Sequence, residues 1–216
     1  MKMVWDQTTE RLFEAGIEQV ALFPQEAGAY PVGVPWNGVT ALNITPSGAE
    51  PTKLWANNRK YLTLMSAEEL GGTIEAYTYP DEWEACDGSA EVVPGVYIGQ
   101  QARKTFGLAA KTLIGNDTEG TKLGYKLHLI WGALASPSEE SNATINDSPE
   151  VKTMSWEFTT TPVAVDGYDV TSYMCIDSTK VDAEKLAALE AIIYGGTDAE
   201  PRLPLPAEVI ETIGKA

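Results

Sequence analysis

The sequence predicts a mainly β domain with a single packed α-helix. Three observations carry that expectation. Segments 104–114, 123–133 and 151–161 alternate with period two, so each offers an apolar and a polar face. Gly, Asn-Asp and Pro turn signals punctuate the β-rich stretch 71–162. Only segment 182–194 has a clear helical stripe, through Leu186, Leu189, Ile192 and Ile193, with Asp182 as cap and Gly195-Gly196 as stop.

In chain order, residues 8–15 read as a short helix and 17–23 as a strand. Residues 24–51 read as an extended Pro/Gly-rich loop, with a strand at 39–44 inside it. So long a segment without its own core is either a surface meander or an arm that lies on a neighbouring subunit. Segments 53–56 and 61–65 form two strands joined by an Asn57-Asn58 turn. A strand at 73–79 follows, then one helical turn at 81–85 after Pro80, then a weaker strand at 92–98 interrupted by Pro94-Gly95.

The three long strands come next. Phe106, Leu108, Ala110, Thr112 and Ile114 share one face of the first, and Leu123, Tyr125, Leu127, Leu129 and Trp131 one face of the second. On the third, Met154, Trp156 and Phe158 oppose Thr153, Ser155, Glu157, Thr159 and Thr161. An antiparallel sheet with one dry and one wet face is expected, and the helix at 182–194 should cover one of its faces. A polar loop fills 136–150, a further strand 168–176, and an extended tail with a short helix 197–216. The whole of 1–216 reads as one domain.

Charge narrows the function. Asp and Glu number 31 against 15 Lys and Arg, a net charge of -16, while 44% of residues are hydrophobic. The apolar fraction is enough for a core. The sign disfavours tight DNA binding, which draws on Lys and Arg neutralising phosphates. It suits a surface that DNA passes without adhering. The N-terminal residues have no signal-peptide pattern, and no apolar run approaches the ~18 residues of a membrane span. Cys86 and Cys175 are far apart and are expected to stay reduced.

Chemistry finds little support. His128 is the only histidine and sits mid-strand. No nucleophile elbow surrounds any serine, and one His with two distant Cys does not make a zinc site. Gly115-Asn-Asp-Thr-Glu-Gly-Thr-Lys122 has the outline of a phosphate loop, but Thr121 stands where Lys should, and two acids lie where phosphates would. The acids Asp81, Glu82, Glu84 and Asp87 read as a solvated turn more readily than as a catalytic pair. Trp36 and Trp83 lie in Pro/Gly-rich turns, where aromatic side chains either anchor subunit interfaces or stack sugars.

Several segments taken together resemble a known family. They are Gly33-Val-Pro-Trp-Asn-Gly38, Thr73-Ile-Glu-Ala-Tyr-Thr-Tyr-Pro-Asp-Glu-Trp83, Cys86-Asp-Gly88, Ile98-Gly-Gln-Gln101, Phe106-Gly-Leu108, Ile114-Gly-Asn-Asp-Thr118, Gly124-Tyr-Lys-Leu-His128, Thr144-Ile-Asn-Asp-Ser-Pro-Glu150 and Thr159-Thr-Thr-Pro162, with Ile176-Asp-Ser178 and the helix after it. In this order they resemble the major tail (tail tube) protein of long-tailed, siphovirus-like bacteriophages and prophages. The resemblance runs from about residue 17 to 206.

It implies a tail-tube-type β-sandwich or barrel with one packed helix, and six copies in a ring whose strands close a lumen barrel. Rings stack around a tape measure protein and meet a tail terminator at one end and baseplate or distal tail proteins at the other. The product is a flexible, non-contractile tail in the virion, and DNA moves through it without specific binding. The resemblance implies no catalytic residue, cofactor, metal or membrane anchor.

The geometry of such a tube is self-consistent. Four strands from each of six copies, ~4.8 Å apart and tilted ~40°, enclose a backbone diameter of roughly 50 Å, and side chains leave roughly 40 Å for a duplex. A ring would carry on the order of a hundred negative charges, which keeps phosphates off the wall. Thr153, Ser155, Glu157 and Thr159, or Thr73 and Glu75, are the candidates for that wall. Trp36 and Trp83 are the candidates for subunit contacts, and the 24–51 loop and both termini for contacts between rings. From a different class comes the alternative of a carbohydrate-binding β-sandwich with Trp36 and Trp83 as its platform. A third reading is an enzyme built on the acids of 81–87.

Overall fold

The computed structural model describes residues 3–144, 151–197 and 199–214. The predicted polar loop therefore falls partly outside the described residues, at 145–150. The protein is mainly β, as expected. Its centre is an antiparallel sheet of eight strands: β1 (Phe13–Pro24), β2 (Val34–Pro35), β3 (Val39–Gly48), β6 (Glu68–Ala76), β9 (Phe106–Asn116), β10 (Gly120–Ala135), β11 (Met154–Thr160) and β14 (Tyr173–Asp177). Three separate hairpins join β4 (Pro51–Ala56) to β5 (Arg59–Met65), β7 (Ala90–Val93) to β8 (Val96–Ile98), and β12 (Val163–Val165) to β13 (Tyr168–Thr171). The helices are α1 (Trp83–Asp87), α2 (Ala183–Tyr194) and α3 (Pro206–Gly214).

Strand order across the sheet is β2-β1-β9-β10-β11-β6-β3, and β14 also pairs with β10. One long strand thus serves two neighbours on the same side. Residues Lys126 to Ile130 pair with β14, and Ala133 to Ala135 pair with β11. The switch falls at Gly132, whose φ is +65°. A Cβ there would stand 2.1 Å from the carbonyl oxygen of Thr161, so only glycine fits.

The sheet is strongly curled. Leu22 on β1 and Ile74 on β6 belong to one core cluster. In a flat sheet their strands, four places apart, would lie roughly 19 Å from each other. The curl brings Val20, Leu108 and Ile130 against Trp156 and Phe158, with Trp83 of α1 packed among them. The hydrogen-bonded path stays open: no barrel closes among the described residues.

A second core lies on the reverse of β9, β10 and β14. Ala109, Leu127, Leu129, Trp131 and Ile176 meet Leu186, Leu189 and Ile193 of α2 there. The helix covers a sheet face as the sequence predicts, and Asp182 caps it by accepting from the backbone N–H groups of Glu184 (3.0 Å) and Lys185 (3.2 Å). Lys111 is drawn into this interface, its ammonium 2.8 Å from Glu190 of α2 and 4.3 Å from the centre of the Tyr125 ring. The Tyr125 hydroxyl donates to the same carboxylate at 2.5 Å.

Several expectations are corrected. Residues 8–15 form no helix. With Leu12 and Phe13 both exposed, there is no stripe for a helix to bury, and the ladder to β9 wins from Phe13 onward. The first two long strands have no wet face through their middles, since β9 is buried on both sides from Phe106 to Lys111. The 168–176 strand is two strands, separated at Ser172, whose carbonyl accepts from the Trp131 N–H at 2.9 Å.

The 24–51 segment is not a free loop either. Tyr30 is buried, and its hydroxyl accepts from the Gly132 N–H at 2.8 Å and from the Gln25 amide at 3.1 Å. Residues 39–48 are strand β3. The C-terminal segment, a candidate for reaching other rings, is instead held on the second core by buried Leu203 and Val209. The Trp131 indole N–H donating to Pro204 at 2.9 Å ties it further.

Candidate functional site: a cation-free sheet face

The face of β3, β6 and β11 turned away from the core is built by register alone. Ile74, Trp156, Phe158, Leu42 and Ile44 point inward, so their neighbours in sequence must point outward. Cross-strand pairing then lines those outward residues up in rows. Asn43, Thr73 and Glu157 form one row, Ala41, Glu75 and Ser155 the next, and Thr45, Gly71 and Thr159 the third. Ser47 and Glu69 extend the pattern, and Leu134 of β10, beside Thr159, forms its border.

The structure therefore brings together candidate residues from two separate segments. Thr73, Glu75, Ser155, Glu157 and Thr159 share one continuous surface. Ser155, Glu157 and Thr159 are exposed, while Thr73 and Glu75 are half-buried. Thr153 is exposed just before β11 begins, one step beyond the paired rows. Sequence alternation within each strand gave the outward residues. That β6 and β11 are adjacent and in this register is new information from the fold.

The chemistry of the face is uniform. Strands β3, β6 and β11 contain no Lys, Arg or His. The outward groups are hydroxyls, an amide and the carboxylates of Glu69, Glu75 and Glu157. Such a surface offers hydrogen-bond acceptors and negative charge but nothing that grips a phosphate.

Trp36 and Trp83 do not stand at a surface. Their relative exposures are 3% and 0%. Their ring centres are 4.6 Å apart, Trp83 is 5.4 Å from Trp156 and 5.0 Å from Phe106, and the Trp36 indole N–H donates to the Thr78 carbonyl at 2.8 Å. This correction has a simple cause. Trp36 follows β2 and Trp83 opens α1, and both rings pack into the first core with Val20, Leu22, Trp156 and Phe158, where an indole ring is the largest filler available. Neither ring has a face left for a neighbouring subunit or a sugar.

The exposed apolar surface that the sequence reading missed lies elsewhere. Beyond Leu70 the β3–β6 ribbon leaves the body and continues into the β4–β5 hairpin, where Leu54, Trp55, Tyr61, Leu64 and Met65 are all exposed. From Pro46 to the tip the ribbon can reach at most roughly 35 Å at ~3.3 Å per residue, with a bend at Gly48 and Ala49, whose φ values are 80° and 53°. Asn57 and Asn58, with φ of 52° and 58°, make the tight turn at the tip. The signal was present as a run of apolar strand residues without a second face to cover them.

The acids of the α1 turn are brought together with the β7–β8 hairpin. Asp81 and Glu82 are exposed and Glu84 is half-buried. The Tyr97 phenol is pushed up by Glu91 first, then by slight burial and by Asp81 and Glu84. The Tyr79 hydroxyl, beside Glu84, is pushed up to about 12, chiefly by burial. Asp87 is half-buried at the end of α1. Burial raises its pKa, and Arg103 opposes the rise.

Comparison with models of protein families gives no match, and comparison with well-characterised proteins gives no significant similarity.

Proposed function

We propose that this chain is a structural tube subunit, the tail tube protein of a long-tailed bacteriophage or prophage. In this reading six copies form a ring, and rings stack around a tape measure protein to make a conduit for DNA in the virion. The observation that carries it is the sheet face just described. Two outward residue sets, chosen from the sequence as pore-lining, lie in matched rows on strands without a single cation.

The physical logic follows from that face. Its carboxylates would repeat around the wall of a ring, and a negatively charged wall of low phosphate affinity lets a duplex slide. The hydroxyls keep the wall wetted between carboxylates. Among the described residues the outer edge of β3 has no partner strand, and an open sheet edge is a site where further strands add. Joining copies side by side would cover it.

The sugar-binding reading needs an exposed ring at Trp36 or Trp83, and both are buried. Negative-stain microscopy of the purified protein over a range of concentrations tests the proposal. Hollow filaments of uniform width are expected. A monomer that stays dispersed at all concentrations would contradict it.

A further inference from the structure

Two exposed surfaces of this chain are complementary to each other. The first is the tip of the ribbon. Residues 51–65 hold Lys53, Arg59 and Lys60 and no acid, in a chain of net charge -16. Register puts Leu54, Leu62 and Leu64 on one side of that hairpin, and Lys53, Lys60 and the highly exposed Trp55 and Met65 on the other. A two-stranded hairpin standing alone in water is marginal, so this one needs something to lie on.

The second surface is the shelf formed by α1 and the β7–β8 hairpin. It carries the acids Asp81, Glu82, Glu84 and Glu91, and Val92, Val93, Val96 and Tyr97 are each about half exposed, from 49% to 57%. Glu91 is the cross-strand partner of Tyr97 on this hairpin, and α1 ends two residues before β7 begins, so these acids border the apolar hairpin; Glu91, Asp81 and Glu84 all raise the Tyr97 phenol. Among the described residues, neither the three cations of the tip nor the four acids of the shelf take part in an ion pair.

We propose that the ribbon tip of one copy docks on the α1–β7–β8 shelf of a second copy, with Trp55 and Met65 against Val92, Val93 and Val96, Lys53 and Lys60 of that same side among the four acids, and Arg59 beside them at the turn. The inference rests on the self-assembling reading above and adds its contact surfaces. Tip and shelf are different patches, so the contact is head-to-tail. Such a contact leaves a free tip and a free shelf at the two ends and therefore propagates. Apolar contact would supply the affinity, and charge would set the orientation.

Charge reversal tests this directly. One variant carries Lys53→Glu, Arg59→Glu and Lys60→Glu. The other carries Asp81→Lys, Glu82→Lys, Glu84→Lys and Glu91→Lys. Self-association is followed by analytical ultracentrifugation at low salt, with circular dichroism to check folding. Each variant alone should associate at least tenfold more weakly than the parent. An equimolar mixture should recover assembly, because each tip then meets a shelf of opposite sign. Trp55→Ser with Met65→Ser, which leaves all charges in place, should weaken association without rescue by mixing. Reversed variants that assemble as the parent does would mean that the tip serves a different chain, and would overturn the docking while leaving the tube reading intact. A mixture that stays dispersed while both variants are folded would also overturn it. A parent chain that never associates would overturn both.

Discussion

Thr73 on β6 and Glu157 on β11 are direct cross-strand partners on the face turned away from Ile74, Trp156 and Phe158. Ser155 is the partner of Glu75, so Glu75 stands one diagonal step from Glu157. Diagonal neighbours on a sheet are ~7–8 Å apart, and like charges there repel. Glu157→Gln should therefore raise stability by about 0.2–0.5 kcal/mol at low salt, with the gain fading at high salt. Urea unfolding at two ionic strengths measures it. A loss of more than about 1 kcal/mol would mean that this carboxylate has a favourable partner, against the account of the face.

The aromatic plug should be the opposite kind of site. Trp83 is fully buried between Trp36, Trp156 and Phe106. Trp83→Ala should cost about 3–5 kcal/mol, the range for deleting a large buried side chain. If Trp83 were instead a surface anchor, the isolated chain would lose almost nothing and only assembly would suffer. Thermal unfolding of the unassembled variant separates the two.

The ion pair under α2 gives a third prediction. Lys111 is nearly buried against Glu190, with the Tyr125 hydroxyl on the same carboxylate. Lys111→Ala strands that carboxylate beside apolar side chains. A loss of about 2–3 kcal/mol is expected, less than for a fully buried pair because Glu190 keeps some contact with water. The double variant with Glu190→Gln should recover part of the loss. A cycle showing no coupling between the two positions would count against the pair.

His128 offers a pH dependence free of other histidines. It lies between Thr112, at 2.8 Å from Nε2, and the Tyr173 hydroxyl, at 2.7 Å from Nδ1, with Glu14, Lys126 and Cys175 close by. Burial lowers its pKa below 6.5; Glu14 opposes this and Lys126 adds to it. The folded state then binds fewer protons than the unfolded chain in the window just below 6.5. Stability from this group is complete above that window and falls as pH drops through it. An NMR titration of the imidazole should give a midpoint below the unfolded value, and a midpoint above 6.5 would contradict the packing at this position.

The two thiols should behave differently. Cys86 is fully buried, and burial pushes its pKa up to about 12, whereas Cys175 is exposed. A thiolate-specific reagent should modify Cys175 in the native protein and Cys86 only after unfolding. Equal rates at both would mean that α1 does not seal the core.

The legible parts of this fold were those where local pattern decides the outcome. Alternation fixed the inward and outward residues of β6 and β11, and the Asn57-Asn58 turn and the Asp182 cap stood where their chemistry requires. The double burial of β9 was hidden because its second face is made of Gly107, Ala109 and Lys111, two small residues and a charge, which look solvent-facing until a helix covers them. Trp36 and Trp83 were misplaced for a related reason. They lie outside any long strand, and α1 is a helix of little more than one turn, too short to display a stripe. The shared face of Thr73 and Glu157 depends on pairing between strands some eighty residues apart, which no local pattern encodes. The same holds for the ribbon. Its strands are visible in the sequence, but its departure from the body beyond Leu70 is a tertiary fact.

The most direct test of the central claim is a cryo-electron microscopy map of the assembled protein at side-chain resolution. The account predicts a hollow filament whose bore is lined by Thr73, Glu75, Ser155, Glu157 and Thr159 with no lysine or arginine among them. A filament carrying these residues on its outer surface, or a bore lined with basic side chains, would contradict it.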